Sequence, residues 1–359
     1  MKNKIISISF IVIIFGMFSL NILTNNTKEL ISSSISEVKS GNYSTTTEKI
    51  SQLVKSLENT YNDNIALKKE LGVPTNLIDF KLFNRVDSNA TLLGKNKWLF
   101  YKATYDGKSI DDYQGINLYS EEQMATIAQN FEEAKKYYAD KGIEFHLMIC
   151  PNKEQIYSKY MPPDISVATQ EKKADRLIKY LKERNIPVID PKAELLEYKD
   201  KAQLYYQNDT HWNNLGAFIG AQQINEVILG TRETFDPSRV YSEGKANKCD
   251  LLTAIGLPAF NYDKEYNYKS DVSNIDVTYT TVNDYRESFT SNGASDKKVL
   301  FIGDSFRWAL ENWLPNYYSK VDFMHRDHYT KKDIEEIQPE VIIFEVVERH
   351  TDALLGPLY

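Results

Sequence analysis

The sequence predicts an α/β domain wound around a mostly parallel sheet, and three observations carry that prediction. Two continuous apolar runs of strand length, Glu144 to Cys150 and Val341 to Val347, lack the alternation of half-exposed strands and read as strands buried on both faces. Helix-period segments stand between the runs, so strand and helix alternate as they do in βαβ units. Pro151, Asp304-Ser305 and Glu348-Arg349 follow directly on apolar runs, and in a doubly wound sheet sites form outside the carboxyl ends of the strands.

The elements follow in order. Ile5 to Leu23 is almost unbroken Ile, Phe, Val, Leu and Met, long enough to cross a bilayer as a helix. Lys2 and Lys4 place its start in the cytoplasm and the remainder of the chain outside. A cleaved signal peptide is the alternative, but Thr24-Asn25-Asn26-Thr27 offers no Ala-x-Ala pattern, so an uncleaved anchor over 1–25 is expected. Residues 26–85 read as a helical stalk, with Ile50, Leu53, Val54 and Leu57, then Ile65, Leu67 and Leu71, at helical spacing before Gly72-Val73-Pro74.

The main domain is expected over 86–359. Trp98 to Tyr101 reads as a strand, and Ser120-Glu121-Glu122-Gln123 as a capping box opening a helix that reaches about Asp140. After the strand Glu144 to Cys150, a helix from about Gln170 to Arg184 leads into the short strand Val188-Ile189-Asp190. Lys298 to Ile302 is the next strand, Phe306 to Trp313 its helix, and Val341 to Val347 the last strand. Between the halves, 231–295 is a polar, Tyr-rich insertion in which Ile275, Val277 and Tyr279 alternate with Asp276, Thr278 and Thr280, the pattern of one half-exposed strand pair. The insertion either shapes a substrate groove or decorates the surface.

Composition narrows the function. With 42% hydrophobic residues and 24 tyrosines the chain has material for one large core and for many amphipathic rings. A net charge of −7 argues against nucleic acid as a partner, because binding to a polyanion is driven by positive charge. Cys150 and Cys249 permit one disulfide without demanding it, and Cys150, closing an apolar run, reads as a buried thiol.

Two segments supply the parts of a covalent acyl-transfer site: Asp209-Thr210-His211-Trp212 and Gly303-Asp304-Ser305. Ser305, between a buried strand and a helix, would present its hydroxyl and amide at a helix N-terminus, where developing negative charge is favoured. Gly303 allows the tight turn, and the Ser305 amide is a natural oxyanion donor. Asp209, two residues before His211, would project to the same side of an extended segment and fix the imidazole tautomer while His211 takes the serine proton. Trp212 would add an aromatic wall or a sugar platform. Taken singly, Gly-Asp-Ser is a common turn, and Asn208 or Asp209 would be ordinary caps for a helix starting near Asn213 or Asn214. His325-Arg326-Asp327-His328 lacks a second cluster to complete a tetrahedral set and reads as a solvated loop. No metal and no cofactor are assigned.

At these residues the chain resembles the anchored alginate O-acetyltransferases of the AlgJ and AlgX type and the related DHHW proteins. The blocks Gly94 to Tyr101, Asp112 to Gly115, Pro151 to Tyr157, Asp209 to Asn213, Gly303 to Phe306 and Glu345 to Arg349 occur in the family's order. The resemblance implies an SGNH-hydrolase-like three-layer sandwich, with Ser305 as nucleophile, His211 as base and Asp209 as its orienter. Asn152, Lys153 and Arg349 match family positions and are expected, with Gly303 and Asp304, in supporting or oxyanion roles; Trp212 and Asn213 are the expected substrate contacts. The histidine block precedes the serine block, unlike ordinary SGNH hydrolases. The chain stops soon after its last strand, so the carbohydrate-binding module of the AlgX type is not expected.

The expected function is O-acetylation of an exported polysaccharide, cellulose or another neutral glycan, with acetyl supplied by a membrane-bound O-acyltransferase, by a membrane-anchored extracytoplasmic enzyme. A polysaccharide acetylesterase with the same triad, and a non-catalytic glycan-binding scaffold of a secretion complex, are the competing readings.

Overall fold

The computed structural model describes residues 76–359 apart from 273, 274 and 294. The expected anchor over 1–25 and most of the expected stalk over 26–85 lie outside the described residues. Among the described residues no helix is long and apolar enough to cross a membrane.

In chain order the strands are β1 (Thr91–Leu93), β2 (Leu99–Tyr101), β3 (Glu144–Cys150), β4 (Val188–Ile189), β5 (Val240–Lys245), β6 (Lys264–Tyr268), β7 (Val277–Asn283), β8 (Arg286–Ser291), β9 (Ser295–Gly303), β10 (Tyr318–His325) and β11 (Val341–Val347). The α-helices are α1 (Ser109–Gln114), α2 (Glu121–Ala139), α3 (Lys153–Ile156), α4 (Lys173–Lys182), α5 (Lys192–Tyr198), α6 (Asn214–Leu229), α7 (Asp250–Thr253), α8 (Arg307–Leu310) and α9 (Lys331–Ile337).

Seven strands form the central sheet in the order β4-β3-β11-β9-β10-β8-β7. The first five run parallel and the β7–β8 hairpin closes one edge antiparallel. Alternation across the pleat sends Val299, Phe301, Val321, Phe323, Val341 and Ile343 into one apolar core, shared with α6. Leu300, Ile302, Met324, Ile342, Phe344 and Val346 go into a second core, shared with α2, α4 and α9. Both faces of the central strands are therefore covered, which is why β3, β9 and β11 read as unbroken apolar runs. The result is the three-layer α/β arrangement expected from the sequence.

Helix α2 begins where its signal stands: Ser120 accepts from the Gln123 amide while the Gln123 side chain accepts from the Ser120 amide. Its apolar stripe, Met124, Ile127, Phe131, Ala134 and Tyr138, is buried.

Several expected elements differ. Leu99–Tyr101 pairs with Thr91–Leu93 in a separate two-stranded sheet rather than joining the main one. The helix expected over 306–313 shrinks to the four residues of α8, followed by a 3₁₀ turn at Leu314–Asn316, where Pro315 lacks the amide a continuing helix needs. The insertion holds two antiparallel strand pairs: β5–β6, joined through α7, forms its own sheet, and the β7–β8 hairpin extends the central one. β10 was not expected. Its apolar residues alternate with Ser319, Lys320 and Asp322, a mixed texture that hides a strand buried between β8 and β9.

Candidate active site

The carboxyl ends of β3, β9 and β11 lie side by side, because β11 pairs in register with β3 from Val341–Glu144 to Val347–Cys150 and with β9 from Val341–Val299. Chain turns leaving these three ends carry Ser305, Lys153 and Arg349, and the bend before α6 brings Asp209 and His211 to them.

Ser305 follows β9. A Cβ on Gly303 would stand 2.6 Å from Glu345 Oε2 and 2.7 Å from the Phe301 ring, so the turn requires glycine for close approach rather than for its backbone angles. Asp304 is buried and stitches the turn: Oδ1 accepts from the Phe306 amide (3.1 Å), and Oδ2 accepts from the Val347 amide (2.9 Å). Its own amide donates to Glu345 Oε2 (3.0 Å). The Ser305 amide has no hydrogen-bond partner among the described residues, which leaves it available to an oxyanion. The Ser305 hydroxyl meets His211 Nε2 at 2.7 Å.

His211 is held from behind. Asp209 Oδ1 lies 2.6 Å from His211 Nδ1 and also accepts from the His211 backbone amide (3.1 Å), while Asp209 Oδ2 accepts from the Asp250 amide (2.8 Å). Segment 207–211 is a bend rather than the extended stretch expected; the carboxylate reaches the ring by curling back. Burial opposes ionisation of Asp209, but the hydrogen bonds and charge of His211 and the two backbone amides outweigh it, and the carboxyl falls to about 2. Asp209 is therefore ionised and acts only as an acceptor, which fixes the Nδ1–H tautomer and leaves Nε2 facing the serine.

Lys153 clamps this bend. Its buried ammonium donates to the carbonyls of Asp209 (2.6 Å), Tyr206 (3.1 Å) and Gln207 (3.3 Å), and desolvation lowers its pKa to about 8. Asp263, from the insertion, takes the opposite role, accepting from the amides of Gln207 (2.8 Å) and Asn208 (2.7 Å). Asp250 accepts from the Thr210 amide (2.8 Å) and the Thr210 hydroxyl. A cation on the carbonyls and carboxylates on the amides leave the loop few alternative conformations.

Lys153 thus supports the site from beneath the loop. Asn152 and Arg349 meet beside it, with Arg349 Nη1 3.5 Å from Asn152 Oδ1, and the Arg349 guanidinium over the rings of Tyr101 and Phe306. Both are buried. The Asn152 side-chain amide nitrogen has no hydrogen-bond partner among the described residues.

Two expected substrate contacts are corrected. Trp212 borders the cleft as an aromatic wall, but it is 1% exposed and donates its indole N–H to the Phe306 carbonyl (3.0 Å); its ring packs in the core and is not a sugar platform. Asn213 is fully buried and caps α6, its Oδ1 accepting from the amides of Leu215 (3.0 Å) and Gly216 (3.2 Å). The histidine block is at once the site loop and the start of a core helix, so its last two residues serve packing.

Sequence reasoning missed His350. It bridges Asp304 Oδ2 (Nδ1, 3.0 Å) and Asp106 Oδ1 (Nε2, 2.8 Å), giving a carboxylate–imidazole–carboxylate chain behind the Ser305 turn. Burial lowers its pKa, the two carboxylates raise it, and the net direction is upward. Its place directly after Glu348-Arg349 at a strand end was the signal available. Asp250 and Asp263 carried none, since they come from the irregular insertion.

A cleft of 240 Å³ opens onto the serine, with Tyr206, Asn247, Lys248, Glu265, Trp308 and Asn312 among its walls. Three of these six belong to the insertion, which accordingly shapes the groove.

Cys150 and Cys249 are separate free thiols. Asp209, His211 and Asp250 are close enough to share an ion, but Asp209 and His211 spend those atoms on each other and on backbone amides. His325 ends β10, and His328 stacks on Tyr285.

Residues 91–318 match the family described as "SGNH hydrolase-like domain, acetyltransferase AlgX". The chain is 25% identical over 180 residues to the probable alginate O-acetylase AlgJ of Pseudomonas putida, covering 49% of this chain and 43% of that protein. It is 27% identical over 217 residues to the like-named protein of Pseudomonas syringae pv. tomato, covering 58% and 52%. The chain thus spans about half the length of the curated relatives it matches. Among solved structures, a DHHW family protein from Eubacterium siraeum aligns with a TM-score of 0.53 at 15% identity, covering 76% of this chain and 94% of that one. PatB1 of Bacillus cereus, solved with a sulfonyl adduct, aligns at 0.50 and 15% identity, covering 74% and 96%. These structures establish a shared fold.

Proposed function

The chain belongs to the AlgJ/AlgX-like family of SGNH hydrolase-like acetyltransferase domains, and from that premise we propose that it transfers acetyl groups onto hydroxyls of an exported polysaccharide through an acetyl-Ser305 intermediate. The observation that carries the reading is the unbroken chain Asp209–His211–Ser305, 2.6 and 2.7 Å at its two links, opening onto a cleft.

In the proposed sequence His211 Nε2 takes the Ser305 proton as Oγ attacks the carbonyl carbon of an acetyl ester. The tetrahedral oxyanion is held by the Ser305 amide, and Asp209 stabilises the imidazolium. The donor alcohol departs with the proton from His211, leaving acetyl-Ser305. A sugar hydroxyl then gives its proton to His211 and attacks the acetyl carbon; collapse returns the proton to Ser305 and releases the acetylated sugar. Glycine at 303 and the Asp304 bonds hold Oγ in line.

The apolar run Ile5 to Leu23 supports an anchor over 1–25, a stalk over 26–85 and a catalytic domain outside the membrane. Under that arrangement acetyl arrives from a membrane-bound O-acyltransferase, and the acceptor is a neutral glycan such as cellulose. An activated acetyl ester should leave one acetyl group on Ser305, detected by mass spectrometry, and none on the Ser305→Ala variant. Absence of the adduct in the unsubstituted protein would sink the reading; hydrolysis without transfer at any acceptor concentration would make the protein an acetylesterase.

A further inference from the structure

The residue that stands in the cleft where Trp212 was expected is Trp308. It is 44% exposed, although it follows Ser305 by only three residues, and its ring centroid lies 5.8 Å from that of His211. The other three tryptophans, Trp98, Trp212 and Trp313, are at most 7% exposed. A large aromatic surface left in water costs solvation free energy unless something covers it, and among the described residues the Lys248 ammonium stands over its face, 4.6 Å from the ring.

Around the indole the cleft presents neutral hydrogen-bonding groups. Asn247 lines it with no side-chain hydrogen bond among the described residues. Asn312 uses its amide nitrogen on Asn214 (2.8 Å), which leaves its carbonyl oxygen to the cleft. The one carboxylate in the wall, Glu265, is occupied by the Tyr206 hydroxyl (2.7 and 3.0 Å). An apolar plate bordered by amide groups is complementary to a pyranose ring, whose axial C–H face is apolar and whose rim carries hydroxyls that donate and accept.

We infer that Trp308 is the acceptor platform: a pyranose ring of the glycan stacks on its indole, with Asn247 and Asn312 reading ring hydroxyls, so that one hydroxyl is presented to His211 Nε2. This rests on the proposed function for the identity of the reaction, but the binding it describes is measurable without any chemistry. Lys248 covers the indole in the absence of sugar and is displaced from it when the ring docks.

Because Trp308 is the one exposed indole, its fluorescence reports the site. Titration of the folded domain with a neutral cello-oligosaccharide, and separately with an oligomer of uronic acid, should give a saturable change in tryptophan emission with at least one of them. The Ser305→Ala variant should give the same change, Trp308→Phe should lose it, and calorimetry should show at least a tenfold weaker affinity for Trp308→Ala. The neutral oligomer responding assigns the platform to an uncharged glycan; the uronate responding, with loss in Lys248→Gln, assigns it to an acidic one. No saturable change with either oligomer, or an undiminished change in Trp308→Phe, overturns the inference. Acetyl-Ser305 formation is scored separately, so failure of the platform and failure of the acyl-enzyme are told apart.

Discussion

At the scale of single residues, the site depends on one carboxylate being ionised and one imidazole being in the correct tautomer. Asp209 is held near a pKa of 2 by hydrogen bonds and a neighbouring imidazole that favour its charged form. Asp209→Asn keeps the volume but presents an amide that can donate to Nδ1, which favours the tautomer with its proton on Nε2 facing Ser305. We expect kcat for acetyl-ester turnover to fall about 10³–10⁴-fold with little change in the melting temperature. Gly303 gives the complementary prediction. Its Cβ position is filled by Glu345 Oε2 and the Phe301 ring, so Gly303→Ala must push strand β9 away from β11. A loss of about 1–3 kcal/mol in chemical denaturation is expected, together with loss of Ser305 reactivity.

At the scale of elements, the bend at 206–211 is held by partners distant in sequence. Lys153 comes from the end of β3, and Asp250 and Asp263 from the insertion. Lys153→Met would keep the stem and remove the ammonium, leaving the buried carbonyls of Tyr206 and Asp209 without this donor, while the Gln207 carbonyl keeps the Leu99 amide. Each such orphan costs about 1–3 kcal/mol, so we expect a loss of roughly 2 kcal/mol or more by denaturant titration. Activity should fall further than stability alone explains at temperatures where the variant is folded. The same scale shows what sequence could reveal. β3, β11 and α2 were legible to within a residue or so, because burial on both faces or a capping box leaves a local signature. β10 and the shortened α8 were not: β10 owes its pairing to β8 and β9, and beyond α8 the chain is held by Trp313, whose indole N–H donates to the Asn214 carbonyl (2.8 Å).

At the scale of the whole molecule, the domain buries a set of acids whose charge it disfavours. Desolvation pushes Glu154 up to about 8 and Glu348 up to about 7. Below pH 4.5 both are protonated whether the chain is folded or not. As pH rises from there toward 8, the unfolded chain releases these protons first, so stability falls. The two carboxylates around His350 raise its pKa and act in the same direction, since its protonated form favours the folded state and is lost as pH rises. Thermal unfolding should therefore give a melting temperature several degrees higher at pH 5 than at pH 8, and Glu154→Gln should narrow that gap. Equal melting temperatures for the unsubstituted protein at the two pH values would refute the buried-acid account.

The sequence by itself determined the layered α/β plan, the strand ends on which the site is built, and the trio Ser305, His211 and Asp209. Each rests on short-range signals: apolar runs, caps, and a carboxylate two residues from an imidazole. Only the tertiary structure decided which tryptophan is exposed in the cleft, that Asn213 is a cap, that Lys153 grips loop carbonyls, and that His350 stands behind the Ser305 turn. Those assignments depend on which side of a packed element a side chain lands, and that is set by the register of β9, β11 and β3 and by the docking of the insertion against α6. Trp212 and Trp308 are equivalent as letters. One has a helix and a strand to bury it, and the other has the cleft.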